Sequence, residues 1–397
     1  VAAEEAVLLA SMLELPVPEG YPTLDLPPMR MKQRTMDALI QVMRRLAQSE
    51  PLLLVVEDLH WMDPSTRDLL EQVVYQGPTN PMLTFFTTRP QSQPSWADRS
   101  CVTRLNLRRL GADEVEAMVI RVTGGKPVPR PVLDQIVAKT DGVPLFVEEL
   151  TKMIVESGVL RDSGDRYELE GDLASLTIPS SLQDSLNARL DQFPHGKEVA
   201  QVAAAIDREF SYGLLRAVWA RDEASLQSGL RELVDAEFVY QRGTPPRSSY
   251  IFKHALIQDA ASESLLRSRR QVIHRAIAQV LTSVYRFRQD GEAADHEVGF
   301  DVAALAEVVE TTPERIAQHC AASGDAVAAV DWWLMAGTRG LARSANVEVT
   351  EYMSRALHLL ESLDSTPDIQ ARELSVQTML GAALTGGYTL PTKTDPR

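Results

Sequence analysis

The feature that most constrains the fold is a continuous apolar run, Leu52 to Val56, which follows Pro51 and ends in Glu57 and Asp58. A run of this length, bounded by proline and by acids, is typical of a strand buried on both faces of a parallel sheet. The run at 82–87 has the same apolar character. We therefore predict two neighbouring strands, at 52–56 and 82–87.

The segment between the two strands predicts a helix. Asp63 can cap this helix, Pro64 can occupy its first position, and the helical pattern continues to about Gln76, where Gly77-Pro78 ends it. A strand, a helix and a strand in this order form a βαβ unit of a parallel sheet. Residues 102–107 give a third predicted strand.

The rest of the chain has mostly helical periodicity. Three helical patterns within 111–158 predict a small helical subdomain. From residue 178, four helices precede a Gly/Pro-tipped hairpin with strands at 237–240 and 250–252, and a long helix at 255–285 follows; this order suggests a winged helix. After a polar, acidic connecting loop at 285–302, Ala-rich helices beyond residue 313 suggest helical hairpins of a tetratricopeptide (TPR) type.

Composition excludes several classes of protein. The 397 residues are 44% apolar, enough for about two or three domains, and a net charge of -15 argues against a broad nucleic-acid-binding surface. Cys101 and Cys320 are too far apart in sequence for a zinc site or a disulfide framework, so we expect a cytoplasmic protein. No apolar stretch is as long as a membrane span, which needs about 18 residues, and no signal peptide is visible.

The side chains that could bind a ligand or take part in catalysis lie at the ends of the predicted strands. Ligands of open α/β sheets bind at the carboxyl ends of the strands. At the end of the first strand, one of the two acids Glu57 and Asp58 can hold Mg²⁺, and the other can polarise an attacking water. Thr88 and Arg89 follow the second strand and can sense a terminal phosphate. The alternative is that neither strand end has a function. The first would then be a buried strand that happens to end in acids, and the second an ordinary polar strand end.

Gly142 and Pro144 join two helices of the helical subdomain. Gly142 permits the turn, and Pro144 can open the next helix and pack against a purine ring. Taken alone, the motif is better explained by a plain helix–loop–helix.

Considered together, these segments resemble a known family. Residues 55–65, Val-Val-Glu-Asp-Leu-His-Trp-Met-Asp-Pro-Ser, resemble the Walker B region of STAND ATPases, the signalling branch of the AAA+ P-loop NTPases. The likeness is greatest to the ATPase modules attached to bacterial class III adenylate/guanylate cyclases and LuxR-type regulators. Residues 87–90 match the sensor 1 of that family, and residues 142–145 match its GxP motif. The resemblance covers nearly the whole chain.

The resemblance implies roles for individual residues. Glu57 takes the first Walker B acid position, where many relatives have Asp, and Asp58 takes the second. Thr88 and Arg89 belong to the phosphate sensor, and Pro144 contacts the base.

A further segment, residues 252–259, is similar to the Met-His-Asp region of STAND proteins, whose histidine contacts the β-phosphate of ADP in the closed state. His254 would take that role, although Lys253 and Ala255 replace the flanking Met and Asp. The alternative is that His254 caps the strand and packs locally.

The phosphate-binding loop, Gly-x-x-x-x-Gly-Lys-Ser/Thr, does not occur in the sequence. Residues 123–127 imitate its end, but Ile120 stands where the first glycine should be and Pro127 where Ser or Thr should be. In the family this loop lies upstream of the helices that open the chain. We therefore interpret the chain as a fragment of a larger protein, and we expect it to hydrolyse ATP slowly or not at all.

The expected fold is part of an α/β P-loop NTPase sheet followed by a mostly α helical lid, a winged helix and TPR-like repeats. The expected domains are 1–108 for the C-terminal part of the NTPase sheet, 109–174 for the lid, 175–288 for the winged helix and 300–397 for the repeats.

The function implied by the resemblance is an ATP-binding regulatory module that uses ATP/ADP and Mg²⁺. The repeats would receive a protein or small-molecule signal, activation can involve a homo-oligomer, and nucleic acid is not expected as a partner. Two alternatives remain open: a nucleotide-independent scaffold, and a DNA-binding winged-helix regulator that uses the basic cluster at 267–270.

Overall fold

A computed structural model describes residues 3–13, 15–17, 19–24, 26–76, 81–170, 181–290, 301–309 and 311–386. The chain divides into two compact units. Unit 1 comprises residues 1–105, 313–321 and 326–397, and unit 2 comprises residues 106–312 and 322–325.

The described chain is mostly helical, with three small sheets. From the N-terminus the helices are α1 (Ala3–Met12), α2 (Pro28–Ser49), α3 (Pro64–Gln76), α4 (Ala112–Val122), α5 (Arg130–Thr140), α6 (Pro144–Glu156), α7 (Leu182–Asp191), α8 (Pro194–Ile206), α9 (Tyr212–Val218), α10 (Glu223–Asp235), α11 (Ala255–Glu263), α12 (Arg267–Asp290), α13 (Val302–Val308), α14 (Pro313–Ser323), α15 (Ala326–Ala342), α16 (Asn346–Leu360) and α17 (Pro367–Gly386). The strands are β1 (Leu52–Val56), β2 (Met82–Phe86), β3 (Leu160–Asp162), β4 (Tyr167–Leu169), β5 (Glu209–Ser211), β6 (Val239–Arg242) and β7 (Ser249–Phe252).

In unit 1, β1 and β2 form the predicted parallel pair, with Leu52 opposite Met82 and Val56 opposite Phe86. Helix α3 connects them, which confirms the βαβ prediction. One face of the pair packs on a core formed by the 3-10 turn 59–61, by α3 and by the loop after β2. Its buried members are Leu59, Leu70, Val74 and Trp96.

The opposite face of the β1–β2 pair is bare within the described part of the chain. Leu53, Val55, Leu83 and Phe85 are 50–59% exposed. They lie in two adjacent rows, because Leu53 pairs with Leu83 and Val55 with Phe85. Parallel strands are ordinarily covered on both faces, so this surface is unusual for its type.

The prediction of a third strand at 102–107 is wrong. These residues form neither helix nor strand, and Leu105 and Leu107 are 77% and 97% exposed. A strand is stabilised by ladder hydrogen bonds to a neighbour, and the described strands offer this segment none. The alternating leucines therefore have an extended-strand pattern without the sheet that would bury them.

Unit 2 begins with the three predicted helices α4, α5 and α6, which enclose a core that includes Val115, Ile136 and Leu150. A short antiparallel hairpin, β3–β4, follows α6. The helical patterns did not predict this hairpin, although Leu160, Tyr167 and Leu169 flank the turn residues Ser163-Gly164.

The second half of unit 2 contains a three-stranded sheet of order β5–β7–β6 together with helices α7 to α13. The predicted hairpin is present, but its first strand starts at Val239 instead of at residue 237. Glu237 adopts a left-handed backbone conformation, with φ of 58°, which a strand cannot contain. Strand β5, which pairs with β7, was not predicted.

The single long helix predicted at 255–285 is two helices, α11 and α12. The Ser264 hydroxyl donates to the carbonyl of Ala261 at 2.7 Å and accepts from the Gln201 amide at 2.9 Å. Such bonds compete with the helical ladder and favour a helix end at this point.

In the C-terminal part of unit 1, α15, α16 and α17 pack on one another. Trp333 is buried there and stacks on Tyr352, with ring centroids 5.2 Å apart. The predicted helix break at Gly77-Pro78 and most of the predicted loop at 285–302 lie outside the described residues. None of the described helices is long and apolar enough to cross a bilayer.

Candidate functional site

The carboxyl ends of β1 and β2 are joined by a short ladder of hydrogen bonds. The Asp58 amide donates to the Thr87 hydroxyl at 2.8 Å, and the Leu59 amide donates to the Thr87 carbonyl at 2.9 Å. The Thr87 amide in turn donates to the Val56 carbonyl at 3.0 Å. Thr87 thus fixes the residues after β1 against those after β2.

This ladder brings four of the predicted site residues to one edge of the sheet: Glu57, Asp58, Thr88 and Arg89. Glu57, Thr88 and Arg89 are exposed and Asp58 is half-buried. Asp58 has a left-handed backbone with φ of 53°, a conformation that aspartate tolerates better than most residues. Non-glycine residues in this region are often found at functional sites.

Arg89 and Thr88 already have contacts at this edge. The Arg89 guanidinium lies over the Trp61 ring, 5.9 Å from its centroid. The Thr88 hydroxyl donates to the Ser92 carbonyl at 2.9 Å, so it fixes the loop that follows β2. Both side chains remain exposed, and Arg89 keeps its full fork of donors for an anion.

His60 is close in sequence to the acids but faces inward. Both ring nitrogens are buried and have no hydrogen-bond partner among the described residues, and the ring contacts Trp61. No group of three or more His, Cys, Asp and Glu side chains in the described chain is arranged to hold a metal ion.

The donor set at this edge is suited to Mg²⁺ only in company with phosphate. Mg²⁺ is commonly bound by one or two carboxylates, several waters and substrate phosphates, not by a complete protein cage. Glu57 and Asp58 supply two adjacent carboxylates at an accessible edge. The two acids therefore fit a nucleotide-dependent magnesium site.

In unit 2, Gly142 and Pro144 occupy the turn between α5 and α6. Asp141 and Gly142 are both left-handed, with φ of 47° and 68°. The Gly142 carbonyl accepts from the Leu110 amide at 2.8 Å, and Pro144 is the first residue of α6. The turn is therefore packed against the chain that enters α4, which a side chain at residue 142 would obstruct.

Four charged side chains join α6 to the strand end that carries His254; we name Glu148, Lys152, Glu237 and Lys253 the charge quartet. The Lys253 ammonium lies 2.7 Å from Glu148 and 3.2 Å from Glu237. The Lys152 ammonium lies 3.0 Å from Glu148 and 2.5 Å from Glu237. Each cation touches both anions, so the quartet ties α6, the turn after α10 and the end of β7 together.

The contacts of the quartet shift the pKa values of Glu237 and Lys253. Hydrogen bonds from Lys152 and Lys253 lower the pKa of Glu237 to about 2. Burial opposes the charge on Lys253, but its hydrogen bonds to Glu148 and Glu237 outweigh burial and raise its pKa. Glu237 and Lys253 are therefore both charged near neutral pH.

His254 differs from its neighbours, because burial lowers the pKa of its imidazole. Its Nε2 is buried and has no hydrogen-bond partner among the described residues. A neutral imidazole can donate from one nitrogen, so His254 retains an unused polar atom beside the quartet.

Acid is expected to weaken the quartet between about pH 4.5 and pH 2. The folded-state pKa of Glu237 lies below its unfolded value of 4.5, so its stabilisation is complete above that value and is lost as pH falls toward about 2. Because the side chain is 56% exposed, solvent screens the effect. The melting-temperature difference between wild type and Glu237→Gln should be constant above about pH 5 and shrink below it; an unchanged difference at about pH 3 would contradict this.

The predicted site residues form two groups on different compact units. Glu57, Asp58, Thr88 and Arg89 meet at the sheet edge of unit 1, whereas Gly142, Pro144 and His254 belong to unit 2. Sequence reasoning missed Thr87 as the residue that joins the strand ends, and it missed the quartet. Lys253 was noted only because it departs from the family pattern, and that departure was the available signal.

Comparisons with known proteins place the chain beside two others. No known family model matches it. It is 30% identical over 368 residues to an uncharacterized protein, R02095, of Rhizobium meliloti (strain 1021), and the match covers 90% of the chain but 33% of that protein. The chain therefore spans about a third of the length of this curated relative.

Among solved structures, the chain is similar to PH0952 from Pyrococcus horikoshii, described as a Signal Transduction ATPase with Numerous Domains with a tetratricopeptide repeat sensor. The match covers 89% of the chain and 54% of that protein, with 11% identity and a TM-score of 0.44. A similarity of this size does not establish a shared fold.

Proposed function

We propose that residues 1–397 belong to a STAND-type regulatory ATPase, in which exchange of ADP for ATP switches an attached output domain. The proposal is supported above all by the pairing of the two strand ends, where the backbone amide of Asp58 donates a hydrogen bond to the Thr87 hydroxyl. This pairing gathers two carboxylates and an arginine at the edge where open α/β sheets bind ligands.

Within this proposal, Glu57 would hold Mg²⁺ together with the nucleotide phosphates, and the ion would supply neutralisation of the phosphate charge. Asp58 accepts a proton from the attacking water and orients it. Arg89 donates to the terminal phosphate, and Thr88 holds the loop that carries it. In unit 2, Pro144 contacts the base, and the neutral His254 donates to the β-phosphate of ADP.

The finer organisation is part of the same proposal. Residues 175–288, with helices α7 to α12 and the β5–β7–β6 sheet, form the winged helix, and residues 109–174 form the lid. Residues 300–397 are TPR-like repeats that receive a protein or small-molecule signal. The output domain is a cyclase or a transcription regulator, and activation involves a homo-oligomer.

The decisive experiment uses the full-length product of the gene. Asp58→Asn should keep the affinity for ATP with Mg²⁺ and lower ATP turnover by about 100-fold or more, because only the carboxylate that activates water is removed. Asparagine also tolerates the left-handed backbone of this position. Binding is measured by calorimetry and turnover by phosphate release.

The matched control is Asp98→Asn, which removes an exposed carboxylate paired with Arg104 in the same unit. It should leave both binding and turnover unchanged. Equal loss of binding and turnover in Asp58→Asn would assign Asp58 to metal binding or folding instead. A wild-type product that binds no ATP with Mg²⁺ would leave the nucleotide-independent scaffold as the better hypothesis.

A further inference from the structure

Glu348, in the first turn of α16, makes a contact that joins distant parts of unit 1. Its Oε1 accepts the Ser65 amide at 3.1 Å and the Ser65 hydroxyl at 2.6 Å. The two residues are 283 positions apart in sequence. A side chain of the C-terminal helices therefore binds the N-terminus of α3, the helix that follows the acidic sheet edge.

The contact completes the hydrogen bonding at the start of α3. The first amides of a helix have no partner within the helix. Pro64 has no amide proton, the Thr66 amide donates to Asp63 at 2.8 Å, and the Ser65 amide donates to Glu348. Two carboxylates thus cap α3: that of Asp63, which precedes the helix, and that of Glu348, which is distant in sequence.

Burial of Glu348 is costly, and only part of the cost is offset by hydrogen bonds. The residue is 8% exposed, and its Oε2 is buried without a hydrogen-bond partner among the described residues. An unsatisfied buried oxygen is rare in folded proteins and calls for an explanation. The carboxylate lies at the N-terminal ends of both α3 and α16, where helix dipoles favour a negative charge.

The surroundings of Glu348 are acidic and packed. Tyr352, one turn further along α16, has its pKa raised to about 12, first by burial and then by neighbouring carboxylates that include Glu348 and Asp63. Asp63 caps the same helix end that Glu348 binds. Both carboxylates therefore bind the start of α3, and a movement of α16 would withdraw that of Glu348.

A short and fully bonded path connects Ser65 with the candidate site. The Met62 amide donates to Leu59 and the Trp61 amide donates to Asp58, which holds the 3-10 turn closed. The Leu59 amide is bonded to Thr87 at the end of β2. Residues 59–64 lie between Asp58 and Ser65, and the 3-10 turn at 59–61 forms the first half of this segment.

We propose that Glu348 is a positioning residue through which the C-terminal helices control the acidic sheet edge. A partner that shifts α16 withdraws the carboxylate from the start of α3 and loosens the turn that holds Asp58. The regulatory meaning rests on the proposed function, whereas the coupling itself does not require nucleotide.

The coupling is tested by hydrogen exchange on the whole chain, without nucleotide. Glu348→Ala should raise the exchange rate of the amides in residues 57–66 by about tenfold or more, because a charge-assisted cap on the helix is lost. Glu348→Gln keeps one carbonyl acceptor and should give a smaller increase. The glutamine variant also serves if the alanine variant fails to fold.

The control is Glu351→Ala, which removes an exposed carboxylate of α16 that pairs with Arg355. It should leave exchange at 57–66 within about twofold of wild type. An equal increase in Glu351→Ala and Glu348→Ala would mean that α16 is merely destabilised, and would overturn the proposal.

Reciprocity separates coupling from a local structural effect, because a coupling free energy acts in both directions. Ser65→Ala removes the hydroxyl donor and should raise exchange in the first turn of α16, residues 346–350. Unchanged exchange there, or unchanged exchange at 57–66 in folded Glu348 variants, would overturn the proposal. These outcomes do not depend on whether the full-length product binds ATP, so the two proposals can fail separately.

Discussion

Replacement of Gly142 by alanine is expected to destabilise unit 2 by about 2–5 kcal/mol. A β-carbon at this position would overlap the Leu110 carbonyl oxygen and lie 2.9 Å from the Leu110 amide nitrogen. Both atoms belong to the backbone, so they cannot move aside as a flexible side chain can. In addition, φ is 68°, and the left-handed region costs an L-residue about 1–2 kcal/mol.

The structure supplies a matched control for this substitution. Gly124 has the same φ of 68°, but nothing lies within 4 Å of its virtual β-carbon. Gly124→Ala should therefore cost only the backbone term, about 1–2 kcal/mol. Hydrogen exchange of α4, α5 and α6 measures both variants, and equal losses would contradict the overlap with Leu110.

Replacement of Arg189 by methionine is the second change with a large expected effect, a loss of about 3–5 kcal/mol. Arg189 is 2% exposed and pairs with the buried Glu149 of α6. Its guanidinium also reaches Glu156 at 3.3 Å and the Ala236 carbonyl at 3.3 Å, and it lies over the Phe238 ring. Methionine preserves much of the volume but leaves the Glu149 charge buried without its partner.

A double variant tests whether the orphaned charge causes the loss. Arg189→Met with Glu149→Met removes both charges and should recover most of the stability, because an apolar pair of similar volume often replaces a buried ion pair without loss. Arg161→Met is the surface control: its pairs with Glu168 and Glu170 are exposed, and the change should be below about 1 kcal/mol. Thermal unfolding of the three proteins gives the comparison, and equal losses in the single and double variants would contradict this account.

Local patterns predicted β1, β2, the β6–β7 hairpin and most helices because their causes are local. Residues 52–56 are continuously apolar and β1 has those bounds, and proline at position 144 begins α6 where the pattern placed it. Two of the failures depend on distant partners. Residues 102–107 alternate as a strand does, but no described strand pairs with them, and β5 exists because β7 passes beside it.

The candidate site divides in the same way. The acids after β1 and Arg89 after β2 could be placed at one edge, since parallel neighbours end together. The hydrogen bond that the Asp58 amide donates to the Thr87 hydroxyl could not be predicted, because it depends on a side-chain orientation that the sequence does not encode locally. The bond between Glu348 and Ser65 spans 283 residues, a separation at which helical periodicity carries no information.

The bare side of the β1–β2 pair also affects the behaviour of the chain in solution. This side presents a contiguous exposed apolar strip formed by Leu53, Val55, Leu83 and Phe85. Exposed apolar patches of this kind favour association between protein molecules. Molecules that associate through this strip bury it only in dimers or larger assemblies. Because association favours the folded state by mass action, their melting temperature will rise with protein concentration.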